Sequence, residues 1–148
     1  DVARATKGEG LLSLAREFGL AVGPLEEKFP VFLHGPVGAE VVRRDYQVRD
    51  EEVLEAIRCH TVGGWGMGPV ARVVYLADKL EPSKDARYPF SPRVRELARR
   101  DLDGALLEFM SREVSAHIAR GDFVHPSTIE ARNDLLARLR SSSHPARG

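Results

Sequence analysis

The sequence has few of the features that mark secreted, membrane-bound or polyanion-binding proteins. Its one cysteine, Cys59, excludes an intrachain disulfide and also a Cys-rich zinc module. No apolar run approaches the roughly 20 residues that span a bilayer, and no secretory signal is present. The 22 basic and 22 acidic residues cancel, so no overall field attracts a nucleic acid polymer or a membrane surface. These absences predict a cytoplasmic protein without nucleic-acid or membrane partners.

The length of the chain predicts one domain followed by a short tail. A chain of 148 residues buries roughly two thirds of the surface that it exposes when unfolded, which is enough for a stable core. The hydrophobic content of 43% and the charged content of 30% are ordinary for a globular protein. The chain ends in "SSSHPARG", which is small and polar. We therefore predict a domain over residues 1–140 and a disordered tail over 141–148.

The order of proline, glycine and capping residues is typical of a helical protein. Pro36 and Pro69 are placed as first-turn prolines, and Asp50 is a good N-cap. The segment "STIE", Ser127–Glu130, reads as a capping box for a last helix that runs through Leu139. No segment has the alternation of a strand, so the predicted fold class is all-α.

The segment that begins at Pro69 raises a question about one acidic residue. Its apolar residues recur at helical spacing and predict an inward face, which comprises Val70, Val73, Val74, Ala77 and Leu80. Asp78 lies at the edge of that face, inside the stretch "VVYLADKLEP". Burying a carboxylate alone costs several kcal/mol. Asp78 therefore either faces water or has a partner that offsets this cost, which would be a metal ion or a basic side chain.

Four side chains are candidate ligands of a metal ion: Asp1, His34, His60 and Asp78. His34 lies at or just before a predicted helix start, and His60 ends the segment "AIRCH". Imidazole nitrogens and carboxylate oxygens suit Zn, Mn or Fe(II). The long spacings require ligands from separate helices that converge in space. From the residues alone, a histidine at a helix end is more often a helix cap or a core hydrogen-bonding residue than a metal ligand.

Five segments together resemble the YqeK family of HD-domain phosphohydrolases. In chain order they are "FLHGPVGAE", "AIRCHTVGG", "VVYLADKLEP", "RDLDGAL" and "VHPSTIEARNDLL". The similarity runs from Asp1 to about Leu136. It implies an HD-domain helical bundle and symmetrical hydrolysis of diadenosine tetraphosphate into two ADP.

The resemblance also implies a ligand set and a metal. His34, His60 and Asp78 match ligand positions, and Asp1 falls where the aspartate of the His-Asp doublet belongs. Family members are similar to dinuclear enzymes that commonly hold iron, with Mn or Zn as alternatives. The histidine that should precede Asp1 and a further upstream histidine are not in this chain. The resemblance therefore implies that N-terminal helices of the domain are missing from it.

Further roles follow from the same resemblance. Asp78 would also orient the attacking water, and Lys79 beside it is either catalytic or a surface charge. The expected substrate-binding residues are Thr61, Lys84, Arg87 and Arg132. Lys84 stands where the family usually has an arginine, so its contact with a phosphate would be a point charge rather than a bidentate grip. For each basic residue the alternative is a solvated surface charge.

Three alternatives of function and recognition stay open at this point. One is an HD phosphohydrolase that acts on another nucleotide, and another is a nucleotide-binding module without turnover in this shortened form. One of the loop aromatics Trp65, Tyr88 and Phe90 is a candidate for stacking on a purine. The expected partner is a nucleotide or dinucleotide substrate, with a homodimer as an open option.

Overall fold

A computed structural model of the chain describes residues 2–3 and 5–143. The predicted all-α class is confirmed, because these residues form α-helices and short 3-10 turns and no strand. The helices are α1 (Glu9–Glu17), α2 (Pro24–Lys28), α3 (His34–Asp45), α4 (Glu51–Cys59), α5 (Pro69–Lys79), α6 (Ser91–Ala98), α7 (Leu102–Arg120) and α8 (Pro126–Ser143). The 3-10 turns are Pro30–Leu33 and Pro82–Lys84. In the part of the chain that the structure describes, no helix has both the length and the apolar character needed to cross a bilayer.

The helices form two compact units. The first comprises the described residues up to Gly63 together with Met67–Tyr75, and the second comprises Gly64–Gly66 together with the described residues from Leu76 onward. The boundary falls inside α5, after Tyr75. The prediction of a single domain over residues 1–140 stays a prediction.

The first unit has a small core between α1, the first 3-10 turn and α3. Its buried residues are Ala3, Leu11, Leu12, Ala15, Leu33 and Val37. α3 also packs along α4, whose buried residues are Leu54 and Ala56. The Asp50 carboxylate accepts hydrogen bonds from the backbone N–H groups of Glu52 and Val53, as its predicted role as N-cap requires. The packing of α3 on α4 is what positions the site described below.

The second unit is built around α7, which packs against α6 and α8. Its buried residues include Val94, Ala105, Leu106, Phe109, Met110, Ala131 and Leu135. α7 ends at Gly121, whose φ of 73° is left-handed. Asp101 caps its start and so separates it from α6.

The predicted inward face of α5 is wrong. Val70, Val73 and Val74 are 38%, 49% and 38% exposed, whereas the buried residues are Ala71, Tyr75, Leu76 and Leu80. Ala77 is exposed as well, and only Leu80 of the predicted set is buried. The helix is apolar nearly all round, so hydrophobic spacing alone cannot choose its buried side.

The start and the end of the last helix also differ from the prediction. α8 begins at Pro126, and His125 caps it, because the His125 Nδ1 atom accepts a hydrogen bond of 3.1 Å from the Ser127 N–H. Ser127 therefore lies inside the helix and does not cap it. The helix continues to Ser143, beyond the predicted end at Leu139, so residues 141–143 of the predicted tail are helical. The rest of that tail, residues 144–148, lies outside the described residues.

Candidate metal centre

His34 and His60 stand at the ends of two neighbouring helices. His34 is the first residue of α3, two residues before the proline that predicted the start of this helix. His60 is the C-cap of α4. Their rings meet edge to face, with centroids 4.9 Å apart. The structure thus brings together two of the four predicted ligands, within the first unit.

The two helices approach closely because of Gly35. A Cβ atom on this residue would lie 2.7 Å from the carbonyl oxygen of Arg58 and 3.2 Å from that of Ile57. Real Cβ atoms do not come so near, so only glycine allows α3 to rest on the last turn of α4. The sequence "HGPVG" therefore has a mechanical reason for its first glycine, which is to set the distance between the two histidines.

A backbone carbonyl orients each imidazole ring. The His34 Nδ1 atom lies 2.5 Å from the Val31 oxygen, and the His60 Nδ1 atom lies 2.6 Å from the Ile57 oxygen. A carbonyl only accepts hydrogen bonds, so each Nδ1 carries the proton. In the neutral ring, Nε2 then holds the lone pair. This tautomer, fixed by a carbonyl, is the one that metal-binding histidines use.

The two Nε2 atoms lie 3.1 Å apart. Metal–imidazole bonds of about 2.0–2.1 Å place two nitrogens about 3.0 Å apart at an angle of about 90° and about 3.4 Å apart at a tetrahedral angle. The observed separation falls between these values. Two acceptor nitrogens that face each other at this distance repel, and a cation between them removes that repulsion. The pair therefore fits two adjacent coordination positions of one metal ion.

Thr61 belongs to the same group of atoms. Its hydroxyl oxygen lies 3.0 Å from the His34 Nε2 atom and 3.4 Å from the His60 Nε2 atom. The structure thus places this predicted substrate-binding residue at the histidine pair. Because it directly follows the cap of α4, its position depends on the same helix end.

The full predicted ligand set is not assembled among the described residues. Residues 2–3 and 5–143 contain no group of three or more His, Cys, Asp or Glu side chains suited to a metal ion. Asp1 lies outside the described residues, and Asp78 belongs to the second unit. The metal roles of Asp1 and Asp78 stay predictions.

Within the second unit, Asp78 has a basic partner. The Lys84 ammonium donates to the Asp78 carboxylate oxygen Oδ1 at 2.8 Å and to the Asp78 main-chain oxygen at 2.6 Å. The Lys79 Nζ atom lies 3.9 Å from the other carboxylate oxygen, Oδ2. Of the two partners that the sequence left open, a basic side chain is therefore present.

Lys79 lies in a nearly closed environment, with its side chain 13% exposed. Burial lowers the pKa of its ammonium, while the carboxylates of Glu113 and Asp78 act in the opposite direction. Glu113, which is buried on α7, accepts a hydrogen bond of 2.8 Å from the Tyr88 hydroxyl. Burial, followed by Glu113, raises the pKa of Tyr88 well above its ordinary value. Lys79 is therefore not a solvated surface charge, which was one of its two predicted roles.

The segment after α5 is fastened at several points. The Arg95 guanidinium pairs with both carboxylate oxygens of Asp85, at 2.8 Å and 2.5 Å, and donates to the Leu80 carbonyl at 2.7 Å. Arg87 is exposed, and its guanidinium lies 5.3 Å from the centre of the Tyr88 ring. The segment is therefore an ordered structure that directs Lys84 inward and Arg87 outward.

Arg132 lies between α7 and α8. Its Nε atom donates to the Ser111 hydroxyl at 2.9 Å, and its Nη1 atom donates to the Asn133 side chain at 3.1 Å. These contacts explain its orientation as part of helix packing. Its predicted contact with substrate stays a prediction.

The three loop aromatics differ in exposure. Tyr88 is buried, and Phe90 packs on Tyr88 and Phe109 at centroid distances of 5.9 Å and 5.5 Å. Trp65 is 67% exposed. Its loop is held at Gly66, whose N–H donates at 3.2 Å to the buried carboxylate of Asp134. Of these three residues, Trp65 has the most exposed ring.

Sequence reasoning missed Gly35, Arg95 and Glu113. The spacing "HGPVG" carried a signal for the first, because two glycines three residues apart in a helix indicate close packing. Glu113 had a weaker signal, an acid within the apolar stretch of α7. Arg95 had none that distinguishes it from the other arginines of the chain.

The chain matches the HD domain family over residues 1–83. The chain is 35% identical over 104 residues to a protein of Halalkalibacterium halodurans named symmetrical bis(5'-nucleosyl)-tetraphosphatase, which covers 70% of this chain and 54% of that protein. A Bacillus subtilis protein of the same name is 37% identical over 108 residues, covering 73% and 57% of the two chains. This chain thus spans about half the length of these relatives.

A solved structure is also similar. It is described as a predicted HD superfamily hydrolase involved in NAD metabolism from Clostridium acetobutylicum. The TM-score is 0.86 at 32% sequence identity, and the match covers 93% of this chain and 72% of the other. The fold of the described helices is therefore one already seen in an experimental structure.

Proposed function

Because the chain belongs to the HD domain family, we propose that it is part of a metal-dependent hydrolase that cleaves diadenosine tetraphosphate symmetrically into two ADP. The observation that carries the proposal is the histidine pair, in which carbonyls direct both Nε2 atoms toward one point at a separation of 3.1 Å. The names of the two relatives supply the substrate class.

HD-domain hydrolases bind divalent metals, and the histidine pair is the part of this chain that would hold one. A metal there supplies Lewis-acid polarisation of a phosphoryl oxygen at neutral pH. We propose a dinuclear iron centre, with Mn or Zn as alternatives, and His34, His60, Asp1 and Asp78 as its ligands. The support for the two aspartates is the resemblance of their sequence segments to the family.

The reaction adds one water to the middle of the polyphosphate. The water oxygen bonds to one of the two central phosphorus atoms, and the bond from that phosphorus to the central bridging oxygen breaks. One ADP leaves with the bridging oxygen, and the other keeps the new oxygen. We propose that Asp78 orients the water, Lys79 compensates charge beside it, and Thr61 and Arg87 contact the polyphosphate. We also propose that Arg132 contacts the polyphosphate. This role has the least support among the proposed substrate contacts, because its guanidinium is engaged between α7 and α8.

Product analysis tests the proposal. The longest natural form of this chain, loaded anaerobically with Fe(II), is incubated with diadenosine tetraphosphate, and the nucleotides are separated by anion exchange. ADP as the sole product is expected. AMP with ATP would mean asymmetric cleavage, and turnover of mononucleotides alone would favour another HD phosphohydrolase activity; either result overturns the proposal.

One observation favours a second candidate, a nucleotide-binding module without turnover. The described part of this chain groups only two metal ligands, fewer than the three protein ligands common in catalytic zinc sites. Saturable ADP binding without any product from diadenosine tetraphosphate, in both metal-loaded and metal-free protein, would support this candidate.

We also propose that Trp65 stacks on an adenine of the substrate. Its exposed ring and the attachment of its loop through Gly66 and Asp134 support this role, since a fixed aromatic platform binds a base with little loss of entropy. It is the only tryptophan of the chain, so its fluorescence reports on this loop. Saturable quenching by ADP but not by tripolyphosphate is expected, and equal quenching by both would exclude stacking. The homodimer, which the sequence left as an open option, stays untested.

A further inference from the structure

We infer that Lys84 is a positioning residue, which fixes the orientation of the Asp78 carboxylate instead of binding a substrate phosphate. The inference rests on the proposed function, in which Asp78 is a metal ligand. It replaces the role that the sequence resemblance gave to Lys84, and it leaves phosphate contact on this segment to Arg87.

Lys84 contacts Asp78 twice through its ammonium group. One ammonium donates to both the side-chain oxygen Oδ1 and the main-chain oxygen of Asp78, at 2.8 Å and 2.6 Å. A donor that holds a side chain and its own backbone together restricts rotation about the bonds between them. The contact to Oδ1 is also charge-assisted, which makes it about twice as strong as a neutral hydrogen bond.

The backbone of Lys84 is itself held by hydrogen bonds. Its N–H donates to the Glu81 carbonyl at 2.9 Å, and its carbonyl accepts from the Tyr88 N–H at 3.0 Å. On either side, Arg95 binds the Leu80 carbonyl and the Asp85 carboxylate. The ammonium thus returns to the end of α5, where a positive charge is favoured by the helix dipole.

A carboxylate that binds a metal ion is itself hydrogen-bonded by a neighbouring group. Lys84 supplies such a hydrogen bond to Oδ1 of Asp78 at 2.8 Å.

Arg87 offers the contrasting case on the same segment. It is exposed, and its guanidinium lies 5.3 Å from the centre of the Tyr88 ring. To reach a phosphate, Lys84 would have to break both of its bonds to Asp78, whereas Arg87 would have to break none of these. Removal of Lys84 should therefore affect metal binding, whereas removal of Arg87 should affect substrate binding.

The test compares Lys84→Met and Lys84→Arg with the matched control Arg87→Met. Binding of Mn²⁺ alone to the metal-free full-length protein is measured by titration calorimetry, and kcat and KM are measured at saturating metal. Lys84→Met is expected to weaken Mn²⁺ binding about 10- to 100-fold with little change in KM. Lys84→Arg should recover most of the affinity. Arg87→Met should leave Mn²⁺ binding unchanged and raise KM.

Unchanged Mn²⁺ affinity in Lys84→Met, together with a raised KM, would overturn the inference and assign Lys84 to a phosphate. Asp78→Ala separates this failure from a failure of the proposed function. If Asp78→Ala loses Mn²⁺ but Lys84→Met does not, only the role of Lys84 is wrong. If Asp78→Ala binds Mn²⁺ like wild type, Asp78 is not a ligand and both statements fall. Circular dichroism checks that each variant is folded.

Discussion

Two regions of the molecule accommodate polar atoms in a helical protein in opposite ways. One is the histidine pair, His34 and His60. The other is the charged cluster, which comprises Asp78, Lys79, Lys84, Glu113 and Tyr88. In the pair, backbone carbonyls fix two rings so that two acceptor nitrogens face each other. In the cluster, acids and bases alternate, and ammonium and phenol groups hold the carboxylates. The pair is an arrangement that a cation stabilises, whereas the cluster contains its own cations.

The two regions make different contributions to a site. The pair provides donor atoms whose direction is fixed by main-chain groups and so is independent of the protonation of other side chains. The cluster provides charge whose position depends on several side chains at once. Changes to the pair should therefore act mainly on metal binding, and changes to the cluster should also act on stability and on its dependence on pH.

The largest expected effect comes from removing one member of the pair. His60→Ala and His34→Ala should each lower metal affinity by more than about 100-fold, since even outer-shell partners of a ligand contribute 10- to 100-fold, and should abolish hydrolysis. Metal content after dialysis, measured by elemental analysis, checks this. The matched control is His125→Ala, which removes a ring that caps α8 and should leave metal content unchanged. Full metal content in either pair variant would exclude that residue as a ligand.

The next largest effect is expected when the two histidines are moved apart without any change to their rings. Gly35→Ala places a Cβ atom 2.7 Å from the Arg58 carbonyl oxygen, and such overpacking costs about 1–3 kcal/mol. It should also move the histidines apart and reduce metal binding. Urea unfolding and metal content measure the two effects.

Gly38 supplies the control for this change, since it lies on the same helix. A Cβ atom there meets Ala3 and Ile57 carbons at 3.6 Å, an ordinary contact distance. Gly38→Ala should be neutral or stabilise the protein by up to about 1 kcal/mol, because alanine favours a helix. Equal destabilisation by both variants would mean that the close approach at Gly35 is not the cause.

A smaller effect is expected on the cluster side. Tyr88→Phe removes the hydroxyl that donates to the buried Glu113 carboxylate and should lower the free energy of unfolding by about 1–3 kcal/mol at pH 7. The pKa of Tyr88 is raised in the folded protein, first by burial and then by Glu113. Stability from the neutral phenol is therefore fully present below the unfolded pKa of about 10 and is lost as the pH rises above it.

Urea titrations from pH 8 to 11 test the sign of this dependence. Wild type should lose stability more steeply above about pH 10 than Tyr88→Phe, which has no phenol to ionise at this position. Parallel curves for the two proteins would show that Tyr88 is not held neutral in the folded state.

The smallest effect concerns Cys59, the residue beside His60. Burial, and then the Glu55 carboxylate, raise the pKa of its thiol, so the reactive thiolate is scarcer than in a free cysteine. Alkylation by iodoacetamide at pH 8 should be slower in the folded protein than in urea. Equal rates would place the thiol in open solvent.

Features set by neighbouring residues could be predicted from the sequence. The cap at Asp50, the helix start at Pro69 and the left-handed stop at Gly121 each depend on a few adjacent residues. His125 shows the limit of this reasoning, because "STIE" is a good capping box and yet the ring two residues earlier takes the role. Two local solutions of similar energy cannot be ranked without the packing of the helix.

Features set by distant residues could not be predicted in the same way. The buried side of α5 depends on what packs against it, and its apolar residues cover nearly the whole circumference. Tyr88 and Glu113 are 25 positions apart in sequence, and nothing local links them. The two histidines were candidate ligands from the sequence and the family resemblance favoured that role, but their separation of 3.1 Å followed only from the structure.

The contact at Gly35 has a consequence for how this sequence can change over time. The atoms that a larger residue would meet most closely at position 35 are main-chain oxygens of Ile57 and Arg58, and every amino acid carries the same main-chain oxygen. No substitution at positions 57 or 58 can make room by shortening a side chain. Mutations at positions 57 and 58 therefore cannot relieve the clash that a larger residue at position 35 would cause. The spacing of the two histidines depends on this single glycine.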